Sequence, residues 1–300
     1  MQKTAADRMQ NAGYRIVGAH SGVKLCLWCK KAVKSGEKDF CYKQKFYGIK
    51  SHRCMQMSPA LPFCNLRCQY CWRDVSIAHE AWPGGIDEPD KIIDGCVEAQ
   101  RALLTGLGGV PHSEQHLKEA MEPKMVAISL EGEPTMYPKL SELIEGFHKR
   151  GMTTFLVTNG TRPEVLKEMA LPTQLYLSLS SNSPEMFEQL QRPLTKDLWS
   201  KVNQTIELFP SLNTRKVVRL TLIRDFNMNP AGYAKLIAKA EPDFIEAKAF
   251  MSVGSSRTRL PYERMPLHSE IKEFAEKLAK LTSYSVKDEK ADSRVVLLKK

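Results

Sequence analysis

Two hydrophobic periods alternate along the chain. Six apolar runs of six to eight residues read as buried strands: Met55–Leu61, Lys124–Leu130, Thr153–Thr158, Gln174–Ser180, Lys216–Ile223 and Asp243–Phe250. Between them, apolar residues recur every third or fourth position, the period of a helix with one buried face. The first such helix begins near Ile86-Asp87, carries Pro89 in its opening turn and runs towards Leu107, where Gly108-Gly109 stops it. A second, Tyr137–Arg150, sets Leu140, Leu143, Ile144 and Phe147 on one face and ends at Gly151. Pro163 and Pro184 open two more, Lys196–Phe209 forms another, and Pro230 opens a helix to Ala240. After Gly254 the alternation stops. A Pro-containing loop with Arg257, Arg259 and Arg264 leads to a helix, His268–Leu281, with Ile271, Phe274, Leu278 and Leu281 as its apolar face. Ser283–Val286 and Arg294–Leu298 suit a terminal hairpin.

Strands alternating with helices imply parallel pairing through βαβ crossovers. Eight such units close a barrel, and six leave it open. The expected fold class is therefore α/β, a partial, open TIM-like (βα)6 barrel over 61–253. A Cys-rich segment, 1–60, precedes it, and a small α+β extension, 254–300, follows.

Composition narrows the chemistry. No run of 18 apolar residues occurs, which excludes a membrane-spanning helix, and Met1–Met9 is polar, so no secretory leader is expected. The expected location is cytoplasmic, where eight cysteines point to metal rather than to disulfides. Seven of them fall between Cys26 and Cys71, while Cys96 sits in a helical pattern as a small buried apolar residue. A net charge of +10 suits a polyanionic partner, nucleic acid first, although charge alone also serves solubility.

The densest chemistry is Cys64-Asn65-Leu66-Arg67-Cys68-Gln69-Tyr70-Cys71. Three thiolates on one loop can reach one metal centre and leave a fourth position open. Structural zinc closes a four-ligand tetrahedron instead, and the polar residues between the cysteines argue against an inert core segment. Tyr70 can wall off a cofactor. The spacing, with an aromatic before the last cysteine, resembles the signature of the radical S-adenosylmethionine (SAM) family. That resemblance implies a [4Fe–4S] cluster on Cys64, Cys68 and Cys71, SAM on the open iron, and a 5′-deoxyadenosyl radical.

Active groups of a βα barrel gather at the C-terminal ends of its strands. Glu131-Gly132-Glu133-Pro134 follows one of them, and its opened backbone can bind the methionine end of SAM. It resembles the family's Gly-Gly-Glu-Pro motif, with Glu131 where the first glycine stands. Thr158, Asn159, Ser178 and Ser180 end two other strands with groups suited to a ribose, or equally to capping their own loops.

Cys26, Cys29, Cys41 and Cys54 would satisfy zinc on spacing alone. Their context is more specific. His20-Ser21-Gly22-Val23-Lys24-Leu25-Cys26-Leu27-Trp28, Cys41–Ile49 and Ser51-His52-Arg53-Cys54, together with Trp72-Arg73-Asp74, resemble the tRNA 4-demethylwyosine synthase family over nearly the whole chain. The resemblance implies a second [4Fe–4S] cluster on Cys26, Cys41 and Cys54. That family shows twelve residues between successive ligands. Cys41 and Cys54 keep twelve, Cys26 and Cys41 enclose fourteen, and Cys29 would leave eleven. Cys26 is favoured by its Lys-x-Cys-x-Trp setting, with Cys29 the alternative.

The resemblance further implies a lyase that converts N1-methylguanosine beside the anticodon of tRNAPhe to 4-demethylwyosine, with pyruvate giving two carbons. An unpaired loop nucleotide costs less to extrude than a duplex base. A lysine can activate the pyruvate carbonyl as a Schiff base, and a neighbouring cation helps its amine lose a proton. Lys43, with Lys45 two residues on, is the candidate pair; the alternative is phosphate contact. The lysines of 30–50 and the arginines of 257–264 are expected to face tRNA. No flavodoxin-like segment is recognisable, so an external electron-donor protein is expected. Two competing readings remain: another radical SAM RNA methylase or methylthiotransferase, and a zinc-bearing RNA-binding protein without catalysis.

Overall fold

The computed structural model describes residues 4–36, 38–82 and 84–300. Met1–Lys3, part of the polar N-terminal stretch, lie outside them. The chain divides into two compact units. One comprises 1–63, 82–156 and 170–173, and the other 64–81, 157–169 and 174–300.

The first unit opens with α1 (Ala5–Asn11), β1 (Tyr14–Val17) and β2 (Ser21–Lys24). Two helices, α2 (Leu27–Ser35) and α3 (Tyr42–Tyr47), lead to β3 (Cys54–Ser58). β1 and β2 form an antiparallel hairpin, and β2 pairs antiparallel with β3. α4 (Pro89–Thr105) and α5 (Glu114–Ala120) then carry the chain to β4 (Met125–Ile128), which lies parallel to β3. α6 (Leu140–Lys149) crosses to β5 (Thr153–Thr158), parallel to β4. The helices form where the apolar stripe dictates. Ile92, Ile93, Cys96 and Leu104 of α4 are fully buried, as are Leu143, Ile144 and Phe147 of α6. Gly151 stops α6 at φ +67°, a left-handed conformation that glycine adopts without a Cβ penalty.

In the second unit α7 (Pro163–Glu168) precedes β6 (Gln174–Ser178), and α8 (Pro184–Gln191) and α9 (Leu198–Leu208) precede β7 (Arg215–Leu222). α10 (Pro230–Ala240) precedes β8 (Phe244–Ala249). β6, β7 and β8 are parallel neighbours joined by crossovers. α11 (His268–Lys280) then packs against β8 and the closing hairpin of β9 (Ser285–Lys290) and β10 (Val295–Lys299), with β10 antiparallel to β8. All six expected strands are present, displaced by up to three residues. The terminal hairpin is longer than the sequence pattern suggested. The β1–β2 hairpin and α5 were not expected.

An ion pair joins two neighbouring strands of the second unit. Glu246 of β8 is fully buried and accepts a 2.8 Å hydrogen bond from Arg219 Nε of β7, whose guanidinium also lies over the Tyr176 ring. Opposite charges on adjacent strands make that burial tolerable. Among the described residues no helix is long and apolar enough to cross a membrane.

Candidate functional site

In the first unit the cysteine set is built by helix starts. Cys26 is the N-cap of α2 and Cys41 the N-cap of α3, while Cys54 begins β3 directly after a 3-10 turn, Ser51–Arg53. At an N-cap, the free backbone N–H groups of the first turn point at the capping residue and favour negative charge there. Ser51 Oγ accepts from the Cys41 N–H at 2.9 Å, which fixes the approach of the two loops. All the cysteines are free thiols. Desolvation pushes the Cys54 thiol up to about 12, the Lys43 charge pulls it back, and Cys26 and Cys41 push it up further. Cys54 thus feels Lys43, Cys26 and Cys41, and Cys29 feels Cys26, Cys54 and Cys41.

Lys43 and Lys45 part company. Lys43 is 9% exposed, with Nζ 4.9 Å from the centroid of the Phe155 ring, whereas Lys45 is on the exposed side of α3. Cys29 also sits near the set, but at 1% exposure its Sγ donates to the His52 carbonyl at 3.4 Å, and burial raises its thiol well above the usual range. It is the most enclosed of the four and the least suited to lose a proton to a metal. Cys26, Cys41 and Cys54 are only partly buried, and among the described residues no three His, Cys, Asp or Glu side chains stand as a group that could hold a metal ion.

His20, quoted only as part of a motif, fastens the turn that follows β3. Its Nδ1 donates to the Pro59 carbonyl at 2.7 Å and its Nε2 accepts from the Asp87 N–H at 2.9 Å, so the ring is the neutral Nδ1–H tautomer. At the far end of β4, Gly132 adopts φ +74°, and a Cβ there would lie 2.0 Å from the Ala60 carbonyl oxygen and 2.6 Å from that of Phe63. Only glycine fits that approach. Ser58 Oγ donates to the Glu131 carbonyl at 2.5 Å, and the Glu133 N–H donates to the Phe63 carbonyl at 2.7 Å. The Glu133 carboxylate accepts from the Thr135 N–H and hydroxyl, so it caps the 3-10 turn Pro134–Met136.

In the second unit the loop of Cys64, Cys68 and Cys71 is held by backbone. The Arg67 N–H donates to the Gln191 and Arg192 carbonyls at 3.1 Å, and the Gln69 N–H to Leu190 at 2.8 Å, so the loop lies along the end of α8. Asn65 Nδ2 donates to Thr161 Oγ1 at 2.8 Å and its Oδ1 accepts from Asn159 Nδ2 at 3.0 Å, tying the loop to the segment after β5. Arg259 Nε donates to the Gln69 carbonyl at 3.1 Å, and its Nη2 to the Cys71 and Arg73 carbonyls. Arg264 pairs with Asp225 at 2.9 Å. Both guanidiniums thus brace the protein's own loops.

Burial pushes the Cys68 thiol up to about 12, helped by Cys71 and opposed by Tyr70 and Arg259. Burial likewise raises the Tyr70 hydroxyl, with Cys68 adding to it. Thr158 Oγ1 accepts from the Gly160 N–H, and Asn159 Oδ1 from the Thr161 N–H, so both cap their own turn. The backbone carbonyl of Ser180 accepts from Asn227 Nδ2 at 2.7 Å and from the Tyr233 hydroxyl at 3.0 Å. The buried Ser181 hydroxyl makes no hydrogen bond among the described residues, and the Ser180 hydroxyl has the Tyr70 hydroxyl as its neighbour. A buried hydroxyl without a partner beside a cysteine loop is what a polar cofactor would satisfy. Ser178 is half-buried at the end of β6.

Comparison with known proteins identifies the relatives of this chain. Residues 58–237 match the radical SAM superfamily and 239–300 match a family described as wyosine base formation. The tRNA 4-demethylwyosine synthase of Pyrococcus abyssi is 49% identical over 99% of this chain and 89% of its own. That of Methanocaldococcus jannaschii is 40% identical over 95% and 92%. A solved structure of TYW1 with a lysine-pyruvate adduct bound is 37% identical, with a TM-score of 0.91, over 100% of this chain and 96% of that one.

Proposed function

The chain belongs to the tRNA 4-demethylwyosine synthase family of the radical SAM superfamily, with its α/β partial-barrel fold, and we propose that it makes 4-demethylwyosine on tRNA. The substrate is N1-methylguanosine beside the anticodon of tRNAPhe, and pyruvate is the two-carbon donor. The observation that supports this reading is the buried Lys43, whose charge acts on Cys54 as Cys26 and Cys41 do. A lysine-pyruvate adduct occurs in the 37% identical structure, and we assign the corresponding role in this chain to Lys43.

Cys64, Cys68 and Cys71 would hold the cluster to which SAM binds. Gly132, through its backbone, and Ser180 are the strongest candidates to contact SAM. Tyr70, Glu131, Glu133, Thr158, Asn159 and Ser178 are assigned to SAM by their motif positions, and several of them also fix the turns described above. When bound, the cluster and SAM supply the radical that takes hydrogen from the N1-methyl group.

Cys26, Cys41 and Cys54 would hold a second [4Fe–4S] cluster, whose open iron suits an α-keto acid carboxylate. The Lys43 amine attacks the pyruvate ketone and water leaves, giving an imine whose carbon is the electrophile for ring closure. Its enclosure keeps bulk water from reversing that step. Lys45, on the exposed side of α3, is assigned to tRNA phosphate, with Lys30, Lys31, Lys34 and Lys50, which are exposed as well. Residues 1–60 thus serve pyruvate, 61–253 the radical chemistry and 254–300 its support. A separate protein donates electrons, and the work belongs in the cytoplasm, where tRNA is.

Borohydride added with labelled pyruvate tests the assignment. Label should fix covalently to wild-type protein and to Lys45→Ala, and be lost in Lys43→Ala. Trapping undiminished in Lys43→Ala sinks it.

A further inference from the structure

The second unit carries an open recess of about 680 Å³ beside the cysteine loop, lined among others by Arg67, Ser76, Arg192, Ser255 and Arg259. We propose that it seats a backbone phosphate of the substrate RNA, close to the nucleotide being modified. This rests on the tRNA reading above and deepens it.

Three guanidinium groups face one carboxylate there, Asp74. Asp74 Oδ1 already accepts from the Ser76 N–H at 3.1 Å and hydroxyl at 2.6 Å. Arg67 and Arg192 have no carboxylate partner among the described residues, and both are exposed. Arg67 makes only a long contact, 3.4 Å, to the Ala78 carbonyl. Arg259 forms the back wall, its guanidinium already donating to the loop carbonyls.

The backbone shows that this placement is built. Arg192 ends α8 at φ +46°, ψ +68°, a left-handed conformation uncommon outside glycine, and its carbonyl accepts from the Arg67 N–H. Leu66 and Pro193 form an isolated antiparallel bridge, and the Leu194 N–H donates to the Asn65 carbonyl at 2.9 Å. The backbone of both arginines is thereby tied to the Cys64–Cys68 stretch itself. Whatever they grip is held at a constant offset from the cluster cysteines, which is what hydrogen abstraction from one methyl group demands.

A concave site with planar forked donors matches a phosphate's oxygens better than it matches a protein partner, whose docking patch is larger and flatter. An acidic electron-donor protein is the other anionic candidate.

The test compares wild type with the Arg67→Gln/Arg192→Gly double variant in three anaerobic assays. These are tRNA binding across a salt series, dithionite-driven SAM cleavage without tRNA, and turnover with a reducing protein in place of dithionite. Two lost phosphate contacts should flatten the slope of log Kd against log salt by about 1.4 for single-stranded RNA. tRNA affinity at low salt should fall at least ten-fold, while SAM cleavage without tRNA, the control for an intact loop, stays near wild type. Unchanged tRNA affinity and slope overturn the proposal. If turnover then falls only with the protein reductant, the recess belongs to that partner. If SAM cleavage itself collapses, single Arg192→Gly, which keeps Arg67 and relieves the backbone, is read instead; a flattened slope supports the seat and an unchanged one overturns it. Wild-type protein that does not bind the tRNA overturns the tRNA reading and this proposal with it.

Discussion

Gly132→Ala is the sharpest probe of how the turn after β4 meets the turn after β3. The backbone at Gly132 has φ +74°, and an alanine held there costs about 1–2 kcal/mol. Its Cβ would also stand 2.0 Å from the Ala60 carbonyl oxygen and 2.6 Å from that of Phe63, where ordinary contact begins at 3.4 Å. Both neighbours are backbone, so the two turns must separate, at a further cost of about 1–3 kcal/mol. Gly151→Ala is the matched control, because it has φ +67° with nothing within 4 Å of the added Cβ. It carries the dihedral cost alone. At about 2–4 °C per kcal/mol, Gly132→Ala should lower Tm by roughly 4–20 °C and Gly151→Ala by roughly 2–8 °C. Anaerobic thermal unfolding followed by circular dichroism measures both. SAM binding should weaken at least ten-fold in Gly132→Ala and hold in Gly151→Ala. Equal Tm losses in the two variants, with SAM affinity intact in both, would refute the close-approach argument.

Other consequences follow from the same structure. After anaerobic reconstitution, wild type should carry about eight irons and Cys26→Ala about four. Cys29→Ala should keep about eight and lose about 1 kcal/mol of stability. Eight irons in Cys26→Ala with four in Cys29→Ala would exchange their roles. Glu270 accepts from Arg224 and from the Leu267 N–H, and these bonds hold its carboxyl below the ordinary range of about 4.5. A carboxyl depressed in the folded state stabilises above its unfolded value and loses that contribution as pH falls. Glu270→Gln should therefore cost about 1 kcal/mol near neutrality, after discounting for its partial exposure, and its deficit should shrink steadily below pH 4.5. A deficit that stays constant with pH would show that charge is not its cause.

The strand–helix alternation was legible because each strand has both faces covered and each helix buries one clean stripe, as in α6. The β1–β2 hairpin was not. β2 reads Ser21-Gly22-Val23-Lys24, and its glycine is there because a Cβ would stand 2.8 Å from the Arg15 carbonyl, a constraint that resembles a turn in sequence. α5 buries only Ala120, too little to set a period. The cysteines and Lys43 could be singled out by spacing and resemblance, since metal-ligating chemistry is local to short motifs. Arg259 and Asn65 could not be given their roles that way. Their partners lie about 190 and 96 positions away, and charge or polarity alone does not say whether a side chain faces RNA or its own backbone. Glu133 carries a role its motif position did not announce, because its carboxylate caps the next turn.

The measurement that bears most directly on the whole account is nucleoside analysis of tRNAPhe bearing N1-methylguanosine, after anaerobic incubation with the reconstituted protein, SAM, dithionite and carbon-labelled pyruvate. The account predicts 4-demethylwyosine carrying two labelled carbons, with no product when pyruvate or SAM is withheld. SAM cleavage with an unchanged or merely methylated guanosine, indifferent to pyruvate, would contradict it.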